Sequence, residues 1–307
     1  MKKLLALMLS ATVMGAMLVG CSSTSTSTTE SSSSTSSSSA STEAETTVAT
    51  ATGLITVITR EDGSGTRGAF TEITGVDDGD GDRTTVDANV QSSTGAVMTS
   101  VAGDAQAIGY ISLGSLNDTV KALEVDGVYP SVETILDGSY TVARPFNIAT
   151  LTGADLNPVA EELMSFIFTQ EAQDIAADEG YIPVTVTTEN FESAQPSGTI
   201  TVGGSTSVYP LMEKFVEAYA AYNPNATINL EGVGSSSGMS GAADGTFDIG
   251  MASRNMKDSE TAVLTGLPCA MDGIAVIVNS GNPTDGLSLE QIMNIYIGEI
   301  TNYDQLS

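Results

Sequence analysis

Three times the chain runs a short β-prone stretch into a turn of glycines and hydroxyls and then into a helical pattern, and that repetition limits the fold more than any other feature. In Leu54–Phe70 the run Leu54, Ile55, Val57, Ile58 leads through REDGSGTRG to Ala69, Phe70 and Ile73. In Thr199–Tyr219 a strand is followed by GGSTS and by Val208, Leu211, Met212, Phe215, Val216 and Tyr219 on one helical face. Thr227–Glu231 leads into GVGSSSGMSGA. A strand-to-helix turn of this kind leaves backbone N–H groups unpaired at the positive end of a helix dipole, which makes it a site for an anion. An α/β protein brings several such turns together around one small ligand.

The first turn is the most specific. Arg60 and Asp62 stand two apart ahead of Gly63, Ser64, Gly65 and Thr66, so a guanidinium and two hydroxyls share the volume of the helix start. The string REDGSGTRGAF resembles the phosphate-binding proteins of bacterial high-affinity phosphate ABC transporters, the PstS-like branch of the periplasmic-binding-protein superfamily. GYISLGS at 109–115, GGSTSV at 203–208, GVGSSSG at 232–238 and DIGMASR at 248–254 extend the resemblance over most of 53–307.

The resemblance implies an α/β fold of two lobes, type II, closing on ligand by a hinge of two crossing strands. Those strands are expected at 142–149 and 274–279. It implies that Arg60, Asp62, Ser64, Gly65 and Thr66 hold phosphate on one side, and Ser205, Thr206, Ser235, Ser236 and Ser253 on the other. Some members carry aspartate after the serine of DIGMASR. Here Arg254 follows Ser253, either as a further phosphate ligand or as a lobe-to-lobe clamp. Asp62 fits an anion site if the ligand brings an O–H for it to accept, as phosphate does and sulfate at neutral pH does not; otherwise it caps the turn.

The order of the pieces is unusual. In the resembled family the GSTSV-like segment comes first and GEITN-aromatic runs directly into the REDGSGTRGAF segment; here GEITNY at 298–303 closes the sequence and its expected continuation stands at Leu54. The pattern reads as circularly permuted, with a truncated tandem array as the rival. One lobe is expected to combine 53–142 with 281–307, and the other to comprise 143–280.

The amino-terminal 52 residues belong to neither lobe. Lys2 and Lys3 precede an apolar run closed by Leu18, Val19, Gly20 and Cys21, the layout of a signal peptide over 1–20. Leu-Val-Gly-Cys resembles a lipobox, which makes Cys21 the lipidated first residue of the mature chain. Residues 21–52 are nearly all Ser, Thr, Ala and Glu, too poor in apolar groups to offset the entropy of ordering, and read as a disordered tether.

The composition excludes several classes. A net charge of −28 rules against nucleic acid, which needs a basic face. With no histidine, Ser-His-Asp and Cys-His catalysis and the common zinc sites are absent, so the G-x-S-x-G match at 234–238 reads as a turn. Asp78, Asp80 and Asp82 imitate a calcium loop, but Arg83 replaces its glycine and a solvated loop is the plain reading. Cys269, the only other cysteine, reads as a small buried apolar residue.

The expectation is a lipid-anchored, monomeric solute-binding protein, without cofactor or metal, on the outer face of a bacterial membrane. It takes inorganic phosphate to an ABC permease. The alternatives are a phosphate-ester hydrolase on the same scaffold and a non-binding sensory or structural lipoprotein.

Overall fold

The computed structural model describes residues 51–306. The signal peptide, Cys21 and all but the last two residues of the tether lie outside the described residues.

In chain order the elements are β1 (Thr56–Arg60), α1 (Gly65–Thr74), β2 (Asn89–Gln91), α2 (Thr94–Gly103), β3 (Ala107–Ser112), β4 (Val120–Ala122), β5 (Glu124–Val125), α3 (Val132–Leu136) and β6 (Ala143–Leu151). There follow α4 (Pro158–Ile167), α5 (Gln170–Asp178), β7 (Gly198–Gly204), α6 (Tyr209–Tyr222), β8 (Ala226–Gly232), α7 (Ser235–Asp244), β9 (Ile249–Ala252), α8 (Asp258–Thr261), β10 (Leu264–Asn279), β11 (Gly286–Leu287) and α9 (Leu289–Tyr296).

The strands form one path, β2-β1-β3-β10-β6-β9-β7-β8, with β4 also on β10. β1 is parallel to β2 and β3, and β7 to β8 and β9, as the strand-turn-helix units require. β10 is antiparallel to both its neighbours and belongs to two lobes. Residues 264–273 pair with β6, and 274–279 with β3 and β4.

Each lobe has its own core, as a two-layer α/β unit must. In the first, Phe70 of α1 stacks on Tyr110 of β3 at 4.0 Å and meets Tyr296 of α9 edge-on at 4.7 Å, beside Val276. In the second, Leu163 and Phe166 of α4 and Leu211, Phe215 and Tyr219 of α6 pack on Val202 and Ile249.

The chain crosses between the lobes at Val142–Ala143 and Gly273–Ile274, where the Ile274 N–H donates to the Val142 carbonyl at 2.8 Å. The strands expected to cross at 142–149 and 274–279 begin at these two points. β6 pairs only within the second lobe, with β9 and with 264–273, while 274–279 pair within the first. Along β10 the pairing changes from β6 to β3 between Gly273 and Ile274.

A buried ion pair sits at the crossing. Arg144 donates from Nε and Nη2 to Asp272 Oδ2 at 3.3 and 3.1 Å, with both side chains almost fully enclosed. Ser112 of the first lobe donates to Asp272 Oδ1 at 2.9 Å. Burial pushes the Asp272 carboxyl up to about 6, against the opposing pull of Arg144 and Ser112.

The single helix expected over 158–179 is two. Thr169 ends α4 by donating to the Phe166 carbonyl at 2.7 Å and caps α5 by accepting from Ala172 N at 3.2 Å, so one hydroxyl serves both helix ends. The expected cap at Asn157-Pro158 is present, with Asn157 Oδ1 accepting from Val159 N at 3.0 Å.

Residues near the two ends of the described body lie side by side. Ile55 N donates to Thr301 O at 2.8 Å, Tyr303 N to Gly53 O at 3.0 Å, and Leu54 bridges Asn302.

Candidate anion site between the lobes

Four helices begin at one place between the lobes: α1 and α2 from the first, α6 and α7 from the second. Their turns touch. Thr66 Oγ1 and Thr94 Oγ1 lie 2.8 and 3.0 Å from Ser207 Oγ, and Arg60 Nη2 donates to Thr206 Oγ1 at 3.0 Å. Ser236 N donates across the cleft to the Gly63 carbonyl at 3.0 Å.

Glycine is required at Gly65. A Cβ there would stand 2.3 Å from Ser235 Oγ and 2.8 Å from Ser253 Oγ, so the first turn of α1 lies flat against the opposite lobe only without a side chain. Ser64 caps α1, accepting from Arg67 N at 3.3 Å.

The serines of the second lobe orient one another. Ser205 Oγ accepts from Ser207 N and Val208 N at 3.2 and 3.4 Å and gives its proton to Ser253 Oγ at 2.8 Å. Ser235 Oγ accepts from Ser253 N at 3.1 Å. Each of these oxygens has a lone pair filled from the protein, and Ser235 Oγ and Ser253 Oγ lie 3.5 Å apart, so one of their two protons is shared between them and the other is left to donate. With four helix N-termini, each carrying about half a positive charge, the cleft presents mostly donors.

The arginines of the cleft are each held by a carboxylate. Arg60, 2% exposed, donates from Nε and Nη2 to both oxygens of Glu61 at 2.8 and 2.7 Å. Arg254 donates from Nη1 and Nη2 to both oxygens of Glu260 at 2.8 and 2.7 Å, and reaches Ser236 Oγ at 3.4 Å.

Of the residues expected from sequence, Arg60, Ser64, Gly65, Thr66, Ser205, Thr206, Ser235, Ser236, Ser253 and Arg254 converge here. Asp62 does not. Its side chain is 97% exposed and pairs with Arg67 Nη1 at 2.9 Å, on the outside of the loop. Asp62 sits inside the tight turn closed by Ser64 N donating to the Glu61 carbonyl at 3.2 Å, which carries its side chain outward, and its neighbour Glu61 lies on Arg60 instead. Arg67 braces the loop by also donating to the Arg60 carbonyl and to Asp82.

Thr94, Ser207 and Glu61 were not singled out from sequence. Thr94 ends the run Gln91-Ser92-Ser93-Thr94 at the start of α2, a fourth strand-to-helix turn behind a strand of only three residues. Among the described residues no group of His, Cys, Asp or Glu is arranged to hold a metal.

Comparison with known proteins agrees with this geometry. The profile of the PBP superfamily domain matches residues 25–171 and 189–307. The chain is 44% identical over 261 residues to "Phosphate-binding protein PstS 2" of Streptococcus pneumoniae serotype 4, covering 84% of this chain and 89% of that protein. It is 38% identical over 265 residues to the protein of the same name from Streptococcus agalactiae serotype V, covering 84% and 90%. Among solved structures, a phosphate-binding protein of a phosphate ABC transporter from Streptococcus pneumoniae TIGR4 superposes with a TM-score of 0.66 at 45% identity, over 83% of this chain and 100% of that one. The chain belongs to the PBP superfamily and, within it, to the PstS-like proteins.

Proposed function

We propose that the protein captures inorganic phosphate between its lobes and delivers it to an ABC permease without chemical turnover. The observation that carries this reading is the meeting of four helix N-termini, their hydroxyls and the Arg60 guanidinium in one cleft. Such a site suits a compact tetrahedral oxyanion, whose several oxygens each take donors from different directions. Arg60, Ser64, Gly65 N–H, Thr66, Thr94, Thr206, Ser207, Ser235 and Ser236 hold the ligand in this reading. Ser205 and Ser253 orient the hydroxyls, and Asp62 takes no part. The names of the streptococcal relatives support the same ligand and the same transport role.

The remainder of the proposal concerns placement. Cys21 carries the lipid after removal of the signal peptide, and 22–52 tether a monomeric body to the outer face of the membrane. The chain order is a circular permutation, supported by the hydrogen bonds that join 53–55 to 301–303. A rearranged chain that starts at Gly198 and joins 307 to 53 by a short linker is expected to keep phosphate binding and thermal stability; failure to fold would refute the permutation.

Isothermal titration of the soluble body with phosphate, arsenate, sulfate and molybdate tests the function. Saturable heat with phosphate and no release of product from phosphate esters is the expected result. No heat with any of the oxyanions, or turnover of an ester, would overturn it.

A further inference from the structure

We propose that Arg254 is a positioning residue of the anion site, acting through Ser236, and that Glu260 keeps it in that role. The inference rests on the phosphate reading above and decides between the two roles open to an arginine at this position.

Arg254 is 7% exposed, and its backbone is fixed, since its carbonyl accepts from Asn147 Nδ2 at 2.8 Å. Its guanidinium is largely consumed on the side away from the ligand. Two N–H groups go to Glu260, and Nη1 also donates to the Asn255 carbonyl at 2.9 Å. Glu260 is in turn held by Lys257 N at 2.9 Å. Burial pushes the Glu260 carboxyl up, but its hydrogen bonds to Arg254 and Lys257 N, with the charge of Arg254, outweigh burial and hold it below the ordinary value. The charge of Arg254 is therefore matched within its own lobe and is not left for an anion.

Two contacts face the cleft. Nη2 donates to Ser236 Oγ at 3.4 Å, which occupies a lone pair of that hydroxyl and leaves its proton for the ligand. The stem lies over α1 of the opposite lobe at Gly68, where an added Cβ would be 3.8 Å from Arg254 Cδ. Ser236 N is meanwhile bonded to Gly63 across the cleft. Arg254 thus ties the direction of one donor to the meeting of the lobes, so its loss acts on ligand release more than on capture.

The test is a cycle of Arg254→Met, which keeps the stem and removes the donors, with Ser236→Ala. Phosphate affinity is read by titration, and release by dissociation of radiolabelled phosphate. Each single variant is expected to weaken binding by about five- to tenfold, mostly in the release rate, and the double variant to lose no more than about twice the larger single loss. Losses that multiply would show that Arg254 acts independently of Ser236, and an Arg254→Met affinity within about twofold of the unmodified protein would show that it does not act at all; either overturns the inference. A loss above about a hundredfold from Arg254→Met alone would make it a direct ligand and would also overturn it.

Arg254→Lys keeps a cation at Glu260 without the fork and serves if the Met variant does not fold. It is expected to match the loss of Ser236→Ala, and an affinity equal to that of the unmodified protein counts against the proposal. If the unmodified protein binds no phosphate, the functional reading fails. If it binds and the losses multiply, only this inference fails.

Discussion

Removal of Arg144 should destabilise the protein in a way that depends on pH. Asp272 is enclosed at the crossing between lobes, and its carboxyl stands at about 6 instead of 3.8 although Arg144 and Ser112 already favour the charged form. The folded value lies above the unfolded one. The stability linked to this proton is thus fully present below about pH 4 and is lost as pH rises through about 6, an effect on the order of 3 kcal/mol. In Arg144→Met the opposing charge is gone and the carboxyl must rise further. Above pH 7 the folded state then either holds an unpaired buried carboxylate or keeps a proton against the solution, at a cost of about 3 to 5 kcal/mol. At pH 5 the carboxyl is mostly protonated in both proteins, and the remaining cost is lost packing over Phe146, whose ring lies 5.5 Å below the guanidinium. Urea unfolding of both proteins at pH 5.0 and 7.5 should give a difference at the higher pH at least about twice that at the lower, and thermal unfolding at pH 7.5 should show a fall in midpoint temperature of roughly 10 °C. An equal difference at the two pH values would refute the argument that Arg144 acts on the ionised form of Asp272.

Gly65→Ala places a methyl 2.3 Å from Ser235 Oγ, so the lobes must part or the serine must turn; phosphate affinity should fall roughly ten- to a hundredfold, read by titration, with little change in unfolding. Asp62→Asn should leave phosphate affinity within about twofold, because an exposed pair with Arg67 contributes little. If Glu61 rather than Asp62 takes the ligand O–H, Glu61→Gln should narrow the gap between phosphate and sulfate by about tenfold or more in competition titrations, since Glu61 is the carboxylate that lies on Arg60. Glu162→Ala removes the acceptor for Ser193 Oγ, Ala194 N and Asn223 Nδ2, which pin the 193–196 segment to α4 and α6. The expected loss is about 1 to 3 kcal/mol, with faster cutting by a glutamate-specific protease at Glu189 or Glu192.

Much of this was legible in the sequence because strand-to-helix turns carry their signal locally. Glycine and hydroxyl residues between a β-prone run and an amphipathic run mark the turn, and the anion site is made of such turns. Thr94 lay in the same kind of turn, but β2 spans three residues of which two are exposed, and it gives no apolar run to announce it. Which carboxylate lies beside Arg60 was not legible for a different reason. The sequence places Glu61 and Asp62 side by side, and only the turn closed between Glu61 and Ser64 decides which of them lies on Arg60. The break between α4 and α5 depends on one hydroxyl that donates backward and accepts forward, which helical periodicity does not register. The extent of β10 was hidden because Thr265, Gly266 and Pro268 interrupt its apolar pattern, and the register shifts between Pro268 and Ala270.

An anion site in a chain of net charge −28 raises the question of what draws the ligand in. It is not an unpaired cation. Arg60 is matched at two points by Glu61, Arg254 at two points by Glu260, and Arg144 behind them by Asp272. The attraction at the site comes from aligned N–H groups and oriented hydroxyls, which act over a few ångströms and are shielded by the lobes from salt. The long-range field of the body is repulsive to phosphate, and that part is screened, with a Debye length falling from about 30 Å at 0.01 M to about 10 Å at 0.1 M. The two contributions predict a definite sign. Raising sodium chloride from 10 to 300 mM, as about one and a half decades of ionic strength, should leave phosphate affinity unchanged or improve it by up to about threefold, with the gain in the association rate. A site that relied on an exposed guanidinium would lose affinity over the same range. Titration at the two salt concentrations distinguishes them, and a weakening of about tenfold at high salt would mean that one of these arginines meets the ligand as a free charge.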